Sequence, residues 1–361
     1  MLNNTNYRFK TLAPVKEVRM ELSPRKQKIL SSIVNSYVAS GEPVGSKLIA
    51  DEIGVSSATV RNEMAELYEL GLLEQPHTSA GRIPSPQGFR IYIDEFMEPS
   101  PLPKKLKAHF DACLMSGAYD REIILLKAAE ALSTATKFTA AASTPSGRSA
   151  FVTAVQFVQI SRRTAMLILM SSAGTMKTKV FHCEFDLSPE IMRIFFRVFN
   201  EKITGTAISD ITPAFVQTVG ISFGELTMLT SSALMALLET AVETMKADVI
   251  LSGQMNLLFY PEFSPRVVRR INDLLENSGD ALSILSCRSG RIEVKLGAET
   301  GWAEFENAAV ISGRYHIGGY DAGGIGIVGP MRMNYPLITQ SISYVTETVG
   351  KMLTALMKEE I

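Results

Sequence analysis

Ser57, Thr59, Arg61 and Asn62 fall within six positions of a 361-residue chain, just after a Gly54-Val55-Ser56 turn and interleaved with Val60, Met64 and Leu67. Each polar type has a use in a DNA major groove. Arginine can bond O6 and N7 of guanine together, asparagine can pair with adenine, and serine and threonine reach phosphates or base edges. A helix running from 57 to about 71 would bury the apolar stripe at i, i+4 and i+7. Ser57, Ala58, Thr59, Arg61 and Asn62 would then face outwards at the helix N-terminus, where the backbone favours phosphate. Ser46 and Ser56 precede helical patterns, and His77 and Arg82 lie in the turn-rich run after Leu73; these four complete the set of candidate DNA contacts. An ordinary small helical bundle with a solvated polar face is the competing explanation.

Such a helix needs a scaffold, and the first hundred residues spell one. Ser23-Pro24 supplies an N-cap with proline at the first helical position, and Ile29, Leu30, Ile33, Val34, Tyr37 and Val38 follow at helical spacing, which predicts a helix over 24–40. Gly41-Glu42-Pro43-Val44-Gly45 breaks it, and Ser46 is expected to cap a second helix through Ile53. After the third helix, Pro76 to Pro84 reads as a two-stranded hairpin with Gly81-Arg82 at a basic tip. Ser85-Pro86 launches a fourth helix whose face is Phe89, Tyr92, Ile93, Phe96 and Met97. This is the order of a winged helix-turn-helix over 22–98, and three prolines between 99 and 103 mark a linker.

Beyond it, 104–142 predicts two helices broken around Gly117. Strands are expected at 152–160, 164–170 and 176–185, and a helix after Ser188-Pro189. Helical patterns continue over 212–246 and 265–277, with apolar 249–258 between them. Strands follow at 281–286, 292–296, 308–315 and 324–328, ahead of a last helix from about Pro336. The whole is α+β, with enough helix between two strand groups for an inserted subdomain.

Composition limits the alternatives. Thirty-six Lys+Arg against 37 Asp+Glu leave a net charge of −1, so any nucleic-acid site must be local. Cys113, Cys183 and Cys287 are an odd number without C-x-x-C spacing, which argues against a disulfide framework or a zinc knuckle and fits a reducing cytoplasm. No stretch approaches the roughly 18 apolar residues of a membrane helix. His77, His109, His182 and His316 have no metal-ligand spacing. Gly324, Gly326 and Gly329 match G-x-G-x-x-G, but they alternate with Ile and Val as in a strand and Pro330 follows at once, so no dinucleotide site, catalytic residue or cofactor is implied. Gly318, Gly319, Gly323 and Gly324 around Tyr320-Asp321 could line a small-ligand pocket, a plain loop between strands being the favoured alternative.

Two long blocks, 22–97 and 295–345, carry a family likeness. The first contains GVSSATVRNEMAELYELGLLEQPHTSAGRIPSPQGFR and the second FENAAVISGRYHIGGYDAGGIGIVGPMRMNYPLITQSISYV. Over about 22–361 the chain resembles the HrcA family of heat-inducible transcription repressors. The resemblance implies a dimer that binds an inverted-repeat operator in double-stranded DNA upstream of chaperone operons, released on heat stress, with activity dependent on the GroEL chaperonin. It also implies a winged helix, a GAF-like domain in two parts (104–210 and 285–361) and a dimerising segment inserted at 211–284. The setting would be the cytoplasm, at the nucleoid.

Family members begin near the position of Glu21, so residues 1–21 are an extension here. Residues 1–28 hold seven basic and two acidic side chains. Either this arm adds phosphate contacts or translation starts at Met20. The rival to a DNA-binding role is a winged helix used as a protein-interaction module, since residues 1–98 hold 11 Lys/Arg and 12 Asp/Glu. Metabolite gating through the GAF-like part is compatible with DNA binding.

Overall fold

A computed structural model describes residues 22–77, 80–117, 120–145, 147, 150–224, 227–287 and 292–359. The expected basic extension at 1–21 and two hairpin residues, Thr78 and Ser79, lie outside this set. The described residues fall into two compact units.

The first unit takes the described residues up to Ala142, then Ile250–Arg314 and Gly324–Val349. It opens with α1 (Pro24–Ser40), α2 (Ser46–Ile53) and α3 (Ser57–Glu69), followed by β1 (Leu73–Glu74), β2 (Ile83–Pro84) and α4 (Pro86–Ile91), which widens into a π turn at Tyr92–Phe96. Ser23 and Ser85 cap α1 and α4 by accepting from the Lys26 and Gly88 amides, and proline follows each at the first helical position. The expected cap at Ser46 is not formed. Gly45 holds that position without a side-chain bond and Ser46 is already helical. Ile29, Leu30, Ile33, Val34, Ile49, Val60, Leu67, Leu72 and Phe89 are buried and form the core of this winged helix. Each such side chain contributes roughly 1.5–3 kcal/mol by leaving water.

After the prolines come α5 (Lys104–Met115) and α6 (Arg121–Thr136), broken where Gly117 was expected to break them. A five-stranded sheet follows, in the order β7 (Val249–Ser252), β3 (Thr139–Ser143), β10 (Tyr320–Pro330), β9 (Ala308–Ile317) and β8 (Ile292–Leu296). β10 runs antiparallel to β3, with Gly326 opposite Ala141, and β8 antiparallel to β9. β10 is unbroken through Gly324, Gly326 and Gly329, which makes the dinucleotide fingerprint a strand. A Cβ on Gly326 would stand 2.6 Å from the Leu285 side chain, so close packing accounts for that glycine. Gly318 and Gly319, both at positive φ, join β9 to β10.

Two elements differ from expectation. Residues 139–143 are a central strand of threonine, three alanines and serine, buried at every position. With both faces covered there is no alternation to read, and alanine favours helix. Residues 281–286, expected as a strand, belong to α11 (Ser278–Leu285). Asn277 caps it at the Gly279 and Asp280 amides, and the buried Lys295 ammonium donates to the carbonyls of Ser283, Ile284 and Ser286 at its far end. A short apolar run reads either way, and these caps decide it. α10 (Pro265–Glu276) precedes α11, and α12 (Tyr335–Glu359) ends the described chain.

The second unit takes the described residues of Ser143–Val249, Tyr315–Gly323 and those from Gly350 onward. β4 (Val152–Gln159), β5 (Thr164–Ser171) and β6 (Met176–His182) form an antiparallel sheet. α7 (Pro189–Ile203), α8 (Pro213–Ser222) and α9 (Thr227–Thr244) complete the unit. Val155, Leu167, Leu169, Phe195, Phe199 and Leu237 are buried in its core, where the Phe157 ring lies 4.9 Å from that of Phe199. The chain leaves the five-stranded sheet at β3 and rejoins it at β7, so the interruption runs from 143 to 249 and carries the strand group 152–182. The inserted segment expected at 211–284 shares α8 and α9 with this interruption.

No described helix is long and apolar enough to cross a membrane. Among the described residues no group of three or more His, Cys, Asp or Glu is placed to hold a metal ion.

Candidate nucleic-acid interface

The N-terminal turn of α3 is built by hydroxyls. Ser56 Oγ accepts the Thr59 amide at 3.1 Å and shares a 2.8 Å bond with the Thr59 hydroxyl, while the Ser46 and Ser57 hydroxyls meet at 3.0 Å and tie the starts of α2 and α3 together. Four of the eight candidate contacts therefore fix the geometry of the helix-turn-helix, which leaves each hydroxyl less capacity for a base. Arg61 and Asn62 are exposed, and among the described residues neither makes a side-chain hydrogen bond. They are the groups free to read an edge.

The face behind them is buried through Val60, Met64 and Leu67, as the spacing predicts, and also through Glu63. Glu63 accepts from Arg25 Nε at 2.6 Å, and Lys26 reaches Glu66 at 2.6 Å. The Glu66 hydrogen bond holds the Lys26 ammonium above the ordinary lysine value. This bracing of α3 on α1 was missed in the sequence, although a glutamate three residues after Val60 on an apolar face was its signal.

Arg82 is not at a hairpin tip. Its backbone bridges Val44, with amide-to-carbonyl distances of 2.9 and 2.8 Å, and its guanidinium lies 4.8 Å from the centre of the Tyr68 ring. Two-residue strands end the hairpin ladder early, so Arg82 belongs to the base of the wing, beside α3. Tyr68, half exposed, was also missed, though it stands seven residues, two helical turns, after Arg61. His77 is exposed just beyond β1.

The winged helix is locked to the rest of its unit. Arg90 Nε donates to Glu299 Oε1 at 3.0 Å and its NH2 group donates both to Glu299 Oε2 and, at 2.7 Å, to the Val294 carbonyl; Glu299 in turn accepts the Leu296 amide. The Phe89 ring stands 5.9 Å from that of the fully buried Tyr335. A bidentate arginine pair of this kind fixes direction as well as position.

Three helices, a short β wing and an outward polar face at the start of the third helix define a winged-helix DNA-binding protein, here followed by a mixed α/β region. Comparison with known proteins gives the family. The model of the winged helix-turn-helix transcription repressor HrcA DNA-binding domain matches residues 21–91, and that of the HrcA protein C-terminal domain matches 122–338. The chain is 31% identical over 350 residues to the heat-inducible transcription repressor HrcA of Acetivibrio thermocellus, covering 95% of this chain and 99% of that one. It is 32% identical over 349 residues to the protein of the same name from Desulforudis audaxviator, covering 94% and 100%. A crystal structure described only as a hypothetical protein shares the fold, with a TM-score of 0.62 at 22% identity over 93% of this chain and 100% of that one. The chain belongs to the HrcA family of transcription repressors.

Proposed function

We propose that the protein binds an inverted-repeat operator upstream of chaperone operons as a homodimer, that heat stress releases it, and that the GroEL chaperonin modulates its activity. The observation that carries the DNA reading is the free, exposed pair Arg61 and Asn62 on a helix whose other face is buried and whose first turn is capped. Arg82 at the wing base supplies a cation for the backbone or minor groove. Ser46, Ser56, Ser57 and Thr59 hold the reading helix, with phosphate within their reach, and His77 flanks the wing.

Dimerisation is assigned to the interrupting unit, and the remaining α/β region to a GAF-like body acting in the cytoplasm at the nucleoid. What supports the dimer is the outward face of β4–β6. Val158, Met166, Ile168, Met170, Met176 and Val180 stand on the side of the sheet away from buried Val155, Leu167, Leu169 and Phe181 and, interrupted by Gln156 and Thr178, leave a largely apolar surface of the kind that marks protein contacts. A two-fold dimer presents two recognition helices to two half-sites.

Fluorescence anisotropy with the inverted-repeat duplex and a scrambled duplex, with and without chaperonin, tests the proposal. Preference for the repeat, strengthened by chaperonin, is expected. Equal weak binding to both duplexes would overturn it.

A further inference from the structure

The winged helix is electrostatically poor for a DNA-binding module. Residues 22–98 hold seven Lys/Arg and ten Asp/Glu. Three of those seven cations are engaged with carboxylates: Arg25 with Glu63, Lys26 with Glu66, and Arg90 with Glu299 and Asp94. A polyanion gains affinity from each phosphate that a protein neutralises, so a module of net −3 needs cations from elsewhere.

The same compact unit has them on α10. Arg266, Arg269 and Arg270 stand at i, i+3 and i+4, which puts them on one side of the helix, and all three are exposed; Val268, Ile271 and Leu275 are its buried side. Among the described residues Arg266 and Arg269 have no ion pair, and Arg270 has only a 3.8 Å contact with Glu304. Asp273, one turn on, pairs with none of them.

A chain of contacts ties the segment that leads into this helix to the helix-turn-helix. Glu262, three residues before Pro265, accepts from Arg332 Nε. The Arg332 guanidinium lies over the Tyr260 ring at 5.6 Å and within 3.1 Å of where a Cβ on Gly41 would stand. Gly41 is the left-handed C-cap of α1 and opens the loop whose Val44 bridges Arg82 and which ends at Gly45, before α2.

We propose that the Arg266, Arg269 and Arg270 face of α10 is a second DNA-contacting surface, which binds backbone phosphates flanking the half-site that α3 reads. Guanidinium groups suit phosphate oxygens. The surface adds affinity and salt dependence without sequence preference. The inference rests on the DNA-binding reading above.

The test is operator binding of the full-length protein at 50 and 200 mM salt, comparing wild type with three triple variants: Arg266→Gln/Arg269→Gln/Arg270→Gln, the Lys version of the same triple, and Arg162→Gln/Arg193→Gln/Arg197→Gln as a charge-matched control in the second unit. Thermal melting confirms folding of each. Three lost phosphate contacts in each protomer, six in the dimer, should shrink the salt-induced drop in affinity by about 2,000-fold. The ratio of operator to scrambled affinity should stay within about twofold, and the Lys version and the control should follow wild type. A Gln triple with wild-type salt dependence, or a control that loses as much, would overturn the surface. Wild type without preference for the inverted repeat would instead sink the operator reading, and the surface with it.

Discussion

The start of α3 and the outer face of the β4–β6 sheet are both exposed, yet they have opposite chemistry. On α3 the outward groups are Arg61 and Asn62, set by paired hydroxyls. On the sheet they are Val158, Met166, Ile168, Met170 and Val180, in register across three strands: Met166 faces Val158 on one side and Val180 on the other. A polar face costs little to leave in water and gains most from a charged, hydrogen-bonding partner, whereas an apolar face gains by being covered. The contrast is what the proposed division of labour rests on, one face meeting a polyanion and the other a surface like itself.

Substitutions on each face should therefore have separable effects. The largest is expected from Met166→Asp. A charge buried without a partner in an apolar dimer contact should cost about 3–5 kcal/mol, turning dimer to monomer in sedimentation equilibrium while each monomer still binds a single half-site weakly. A variant that remains dimeric would move the contact off this sheet. Next comes Arg61→Ala, with a loss of roughly 1–3 kcal/mol and relaxed preference at one base position if it reads guanine. A uniform loss over all sequences would make Arg61 a phosphate contact instead. Ser56→Ala should cost about 1 kcal/mol of folding stability in denaturant titration by removing the α3 cap, and operator specificity should survive. The smallest effect is that of Tyr68→Leu. Losing the ring beneath Arg82 should weaken operator and scrambled duplex alike by about 0.5–1 kcal/mol, and an unchanged affinity would leave Arg82 without a role in binding.

Legibility differs between the regions for physical reasons. Serine followed by proline announces helix starts by a local mechanism, and Ser23, Ser85 and Ser188 each accept the expected amide. β4, β5 and β6 alternate because only one face is covered, so they too could be read. β3 could not, because burial on both faces removes the period and its alanines carry no strand preference. At the candidate interface, Arg61 and Asn62 follow from helical spacing alone. The place of Arg82 does not, because it depends on Val44 and Tyr68, 38 and 14 residues away in sequence. Arg90 was visible only as part of a family signature; its partner Glu299 lies 209 residues on.

The account stands on α3 as a reader of sequence. Selection of binding sites from a pool of random duplexes, carried out with wild type and with Arg61→Ala in parallel, tests this most directly. Wild type should enrich two inverted half-sites at fixed spacing, and the variant should enrich the same pattern with one position in each half-site degenerate. Duplexes recovered without a shared sequence, or a motif that Arg61→Ala leaves unaltered, would contradict it.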